Sequence, residues 1–351
     1  MSAVSPAYRR LALATVTATF LLIVVGGIVR VSDSGLGCGP GGSGLHGWPL
    51  CRGDVLPGTS VHAIVEYTHR TAASIVGLLW LALAVQAWRR YRPYRWVTTA
   101  GFGLVVAQGL LGALVVDKNL QDSLVAAHLG LAMLLFALSI WLARAVRLPP
   151  RTAKRPAPAP IEGVPGRFVS GRFKALAFSA QAALFGAIVA GGYMAGSEKD
   201  GLALWAKTRH LAGAHYQGAH YACGHQFPTC NDGFLPFGSR LVNIHLTHRV
   251  FVYLTTILVV ALVIAVLRRR PSQSIVRAAW VALGLLGLQI VLGALNVWLT
   301  DEYAALVVAH LTTATLLWAT LTTMNIQLVR APALEPGVDD SPLRRAEPVT
   351  A

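Results

Sequence analysis

Charge-free apolar runs dominate the chain. They extend over Leu11–Val29, Thr71–Trp88, Trp96–Val116, Ser123–Ala143, Ala175–Ser197, Val250–Leu267, Ala278–Thr300 and Tyr303–Val329. A run of about 18 or more apolar residues crosses a bilayer as a helix. In lipid the backbone must satisfy its own polar groups, so each run is predicted to be helical. The pattern predicts an all-α integral membrane protein with eight spans. The first run follows Arg9 and Arg10 as a secretory signal would, but it is longer than a signal's apolar core and no small-residue cleavage site follows it. It reads as a retained anchor.

Composition agrees. The 351 residues are 54% hydrophobic and 13% charged, with a mean hydropathy of +0.55. Soluble domains carry about 25% charge. Disorder and nucleic-acid binding are poor readings, even with a net charge of +15 and a pI near 10.3. The basic residues mark orientation instead. The N-terminus, the 89–95, 144–174 and 268–277 connections and the C-terminus hold 21 of the 30 Lys and Arg. Both termini are therefore expected in the cytoplasm, and the protein in the cell (plasma) membrane.

The chain repeats itself. V-A-A-H-L-G-L-A-M-L-L-F-A at 125–137 matches V-V-A-H-L-T-T-A-T-L-L-W-A at 307–319, an offset of 182. Gln108–Leu114 matches Gln289–Leu295 at 181, while Thr68-His69-Arg70 matches Thr247-His248-Arg249, and Cys51 matches Cys230, at 179. The repeat predicts two tandem four-helix bundles related by an axis along the membrane normal. The expected divisions are residues 1–147, a Pro/Ala-rich basic cytoplasmic linker at 148–173, a second half at 174–330 and a disordered tail at 331–351.

Four histidines sit at one depth. His69, His128, His248 and His310 each lie a few residues inside the outer end of the second, fourth, sixth and eighth spans, roughly 8–13 Å down at 1.5 Å per residue. Facing imidazoles on different helices can ligate a haem iron from both sides. A lone intramembrane His more often bonds a neighbouring helix, but four equivalent positions favour haem iron. Glu66, three residues before His69, shares its face and has His245 as its counterpart. An intramembrane carboxylate is a functional candidate, or else a partner of Arg70 or Arg30. Arg30, Arg70 and Arg249 at the outer rim suit either haem propionates or interfacial anchoring.

All four cysteines fall in two outer loops, Cys38 and Cys51 in one, Cys223 and Cys230 in the other. On the oxidising side this favours one disulfide per loop, for stapling or for redox traffic. His210, His215, His220 and His225 recur every five residues, which does not place them on one helix face. A solvated loop is expected there rather than a metal site.

Together, G-G-I-V-R-V-S-D-S-G-L-G-C, W-P-L-C and E-Y-T-H-R, with the repeat and the paired histidines, resemble the haem A synthase (CtaA/Cox15) family over roughly residues 11–330. The resemblance implies an oxidoreductase that converts the C8 methyl of haem O to a formyl group, making haem A for terminal oxidases. It implies that Glu66, His69 and His128 belong to the haem O site, and that His248 and His310 hold a haem b through which electrons pass. The partners it suggests are the haem O-producing farnesyltransferase and a membrane electron acceptor. In the family the first-loop cysteines usually flank a short C-P-x-W-P-x-C run, whereas here twelve residues separate Cys38 from Cys51. A di-haem electron carrier and a haem transporter are the non-enzymatic alternatives.

Overall fold

The computed structural model describes residues 4–147, 170–197, 218–269, 271–299 and 303–330. Among them are eight long helices: α1 Pro6–Val31, α2 Val61–Arg89, α3 Arg95–Asp117, α4 Asp122–Ala145, α5 Gly171–Gly196, α6 Arg240–Arg269, α7 Gln273–Trp298 and α8 Tyr303–Arg330. They have 23 to 30 residues, or roughly 35–45 Å at 1.5 Å per residue, against a hydrocarbon core of about 30 Å. All eight are long and apolar enough to cross a membrane. The protein is a multi-pass membrane protein. The sequence expectations for the 148–169 part of the linker and for the 331–351 tail lie outside the described residues.

Helix ends follow from local chemistry. Ser5, Ser170 and Ser272 cap α1, α5 and α7, each hydroxyl accepting from the backbone N–H three residues on. The charge-free runs mark two helices too late. Helices α2 and α6 begin ten residues before the expected Thr71 and Val250. Those first turns carry Glu66, His69, Arg70, His245, His248 and Arg249, and the charges among them are partnered by loop backbone rather than exposed to lipid.

Helices α1–α4 close one ring through α1–α2, α2–α3, α3–α4 and α1–α4 contacts, and α5–α8 close a second ring in the same way. The rings meet along α1–α8, α4–α5 and α4–α8. A single apolar core runs through the seam, joining Ile23, Met133 and Phe136 to Leu184, Leu262 and Trp318. The buried Trp318 indole N–H donates to the Met133 carbonyl across the seam at 2.9 Å. Leu21, Leu78, Val106, Ile257 and Val291 point outward, as side chains facing acyl chains do.

Candidate functional site

Each of the four histidines lies against a glycine of the helix before it. A methyl group on Gly26 of α1 would stand 3.1 Å from His69 Cε1, and one on Gly112 of α3 would stand 3.2 Å from His128 Cε1. The second ring repeats this: Gly191 of α5 against His248 at 3.1 Å, and Gly293 of α7 against His310 at 3.2 Å. His69 and His128 sit on α2 and α4 of the first ring, and His248 and His310 on α6 and α8 of the second. Each ring therefore carries two of the four histidines.

The pairs fit a haem by their donor chemistry. Haem iron brings its own four equatorial nitrogens, so two imidazoles complete it. Among the described residues no cluster of three or more His, Cys, Asp or Glu could hold a bare metal ion. The Nδ1 atoms of His69, His128 and His310 are buried without a hydrogen-bond partner. His248 differs: its Nδ1–H donates to the Ala187 carbonyl at 2.9 Å, leaving the Nε2 lone pair for a ligand.

Glu66 is buried, at 3% exposure. Its Oε2 accepts from the Cys38 backbone N–H at 2.7 Å, and its Oε1 pairs with Arg70. Arg70 also donates to the Gly47 and Leu50 carbonyls at 2.7 and 3.0 Å. Its counterpart Arg249 donates to Thr229, Gln226 and Pro228 at 2.7, 2.8 and 3.2 Å. Both arginines therefore grip the outer loops by backbone carbonyls. Arg30 reaches across the seam to the Ala195 carbonyl at the end of α5. The loops themselves are closed by disulfides Cys38–Cys51 and Cys223–Cys230. The Gly-rich insertion in the first loop does not prevent closure.

Sequence reasoning left His245 without a role. It is buried, and its Nδ1–H donates to the Ala219 carbonyl at 2.8 Å. His220 is not in solvent, as expected of its loop, but 6% exposed. Its Nε2–H donates to Asn296 O at 2.9 Å, and His225 Nδ1–H donates to Val297 O at 3.1 Å. These imidazoles satisfy carbonyls in the last turn of α7, which helix geometry leaves unpaired. Burial pushes His220 down to about 4, against the rise from its bond to Asn296. His220 is therefore neutral at physiological pH. His210 and His215 lie outside the described residues.

The COX15-CtaA family, described as cytochrome oxidase assembly protein, matches residues 9–322. The chain belongs to this family. Among its relatives, a protein named heme A synthase from Symbiobacterium thermophilum is 30% identical over 295 residues, 82% of this chain and 85% of that protein. Heme A synthases of Shouchella clausii and Bacillus licheniformis are 34% and 30% identical over 140 and 134 residues. Those two matches cover 44% and 42% of the relatives' own lengths.

Proposed function

We propose that the chain makes haem A by oxidising the C8 methyl group of haem O to a formyl group, with the first ring as the substrate site and a haem b in the second as electron relay. What supports this reading is the placement of His69 and His128 on α2 and α4 of one ring and of His248 and His310 on α6 and α8 of the other, each backed by a helix glycine. Membership of a family with relatives named heme A synthase supports a role in haem A biosynthesis.

Bound haem b would supply the one-electron chemistry that side chains lack. The chain's own residues ligate, orient and move protons. In the second ring, the His248 bond to Ala187 fixes the ring plane and raises the basicity of the other nitrogen, which suits a resident cofactor. His69, at the same repeat position, has no such bond. Glu66 lies one turn outward from His69 on the same face. Methyl to formyl with an oxygen atom from water releases four protons and four electrons, the electrons leaving to the membrane acceptor. Glu66 accepts a proton from the substrate's methyl centre, or stabilises positive charge there, while Arg70 and the Cys38 N–H hold the carboxylate in place. Arg30, Arg70 and Arg249 set positive charge at the rim for porphyrin propionates. The termini face the cytoplasm and the protein sits in the plasma membrane. There it receives haem O from the farnesyltransferase that makes it and passes electrons to a membrane acceptor.

Extracting pigments from haem O-producing membranes with and without the chain tests this. Haem A appearing only with the chain supports it. Haem O left unchanged would instead favour a di-haem carrier or a haem transporter.

A further inference from the structure

Four contacts of one kind recur in places the sequence does not bring together. Gly26 meets His69, Gly112 meets His128, Gly191 meets His248 and Gly293 meets His310, always from the preceding helix. In every case Cε1 is the nearest atom, at 3.1–3.2 Å from where a methyl would stand, and Nδ1 is nearer than Nε2. A separation of that size is tighter than ordinary van der Waals contact. A side chain as small as alanine's would therefore press on each imidazole. Each ring is wedged at its Cε1 edge against the glycine.

The contact is not common to every glycine on these helices. Gly103, Gly109, Gly284 and Gly287 lie on the same two helices, α3 and α7, and a methyl on any of them would meet nothing within 4 Å. Gly109 and Gly112 share α3, yet only Gly112 backs a histidine.

We propose that Gly26, Gly112, Gly191 and Gly293 are positioning residues for axial ligation. Each gives the Cε1 edge of an imidazole a close seat on the neighbouring helix, which limits how far the ring can turn. This inference rests on the haem-ligation reading above. Imidazole orientation governs overlap with the iron, and partners behind a ligand commonly change metal affinity about 10–100-fold. Alanine at a seat should turn the ring and weaken its bond to iron.

The test uses full-length purified protein and reads absorption and electron paramagnetic resonance spectra and haem content, without assaying turnover. Gly191→Ala and Gly293→Ala should retain several-fold less haem b, with the remainder shifted from low-spin to high-spin. Gly284→Ala, the same change on α7 in open space, should match wild type. Gly112→Ala should keep the haem b spectrum, since the second ring is untouched, and should bind added haem O several-fold more weakly. Gel-filtration elution and helical circular dichroism equal to wild type separate ligand misplacement from misfolding. A conservative Ile290→Val change on α7 controls for loss of packing. Wild-type spectra and haem content in both Gly191→Ala and Gly293→Ala would overturn the inference while leaving the haem reading intact. Wild-type protein without any bis-histidine spectrum would instead overturn the haem reading itself.

Discussion

Glu66 and His245 occupy equivalent positions in the two halves, and each fastens the outer loop above it by one backbone group. Glu66 accepts from the Cys38 N–H at 2.7 Å, whereas His245 donates to the Ala219 carbonyl at 2.8 Å. The tie is similar and the chemistry differs: the first half has a carboxylate at this position and the second an imidazole. Arg70 and Arg249 complete the same clamp in each half.

Glu66→Gln should lower haem A formation by about 10²–10⁴-fold, the usual range for loss of a general base. Haem b in the second ring should keep its spectrum. Chromatography of extracted haems checks the first point and absorption spectra the second. Normal haem A output would reduce Glu66 to a loop fastener. Arg70→Lys is the companion variant, since it loosens the loop clamp while keeping both Glu66 and a positive charge.

His245→Phe removes the donor to a buried carbonyl, a loss of about 1–3 kcal/mol. Amide hydrogen exchange around Ala219–Gly224 should speed up. Exchange in the first loop, around Cys38, should not change. Equal protection in both proteins would show that the bond contributes nothing to loop docking.

Acid should loosen the second loop through His220. Its folded value of about 4 lies below the ordinary 6.5. The undocked loop therefore binds a proton first as pH falls through that window. Stability is complete above pH 6.5 and declines toward pH 4, with a slope approaching about 1.4 kcal/mol per pH unit for one proton. Hydrogen exchange of the 218–230 segment against pH measures it. His220→Gln should flatten the profile, and an unchanged profile would assign the acid sensitivity elsewhere.

The eight spans and the two loop disulfides were legible in the sequence, because lipid requires long charge-free helices and the oxidising side favours paired cysteines. The early starts of α2 and α6 were not, since Glu66, Arg70 and Arg249 interrupt the apolar pattern and are satisfied by loop backbone more than 15 residues away in sequence, the Cys38 N–H for Glu66 and loop carbonyls for the two arginines. The four histidine positions could be read from the repeat, but the glycine seats could not. Gly26 and His69 are 43 residues apart, and nothing local signals their contact. The recurrence of glycine pairs at 26–27 and 191–192 was the available clue. His220 was misjudged because spacing along a loop says nothing about which helix end the loop covers, whereas His225 is exposed as expected.

His248→Ala and His310→Ala should each abolish the low-spin bis-histidine spectrum of purified protein. His69→Ala should leave it in place. Retention of that spectrum in both second-ring variants would remove haem b from the proposed relay.

The division of labour between the rings is tested most directly by His128→Ala in a membrane that supplies haem O. Haem extraction and the reduced spectrum are recorded on the same preparation. The account predicts that haem O persists, that haem A is missing, and that the second-ring haem b spectrum is intact. Haem A at the wild-type level in this variant would contradict it.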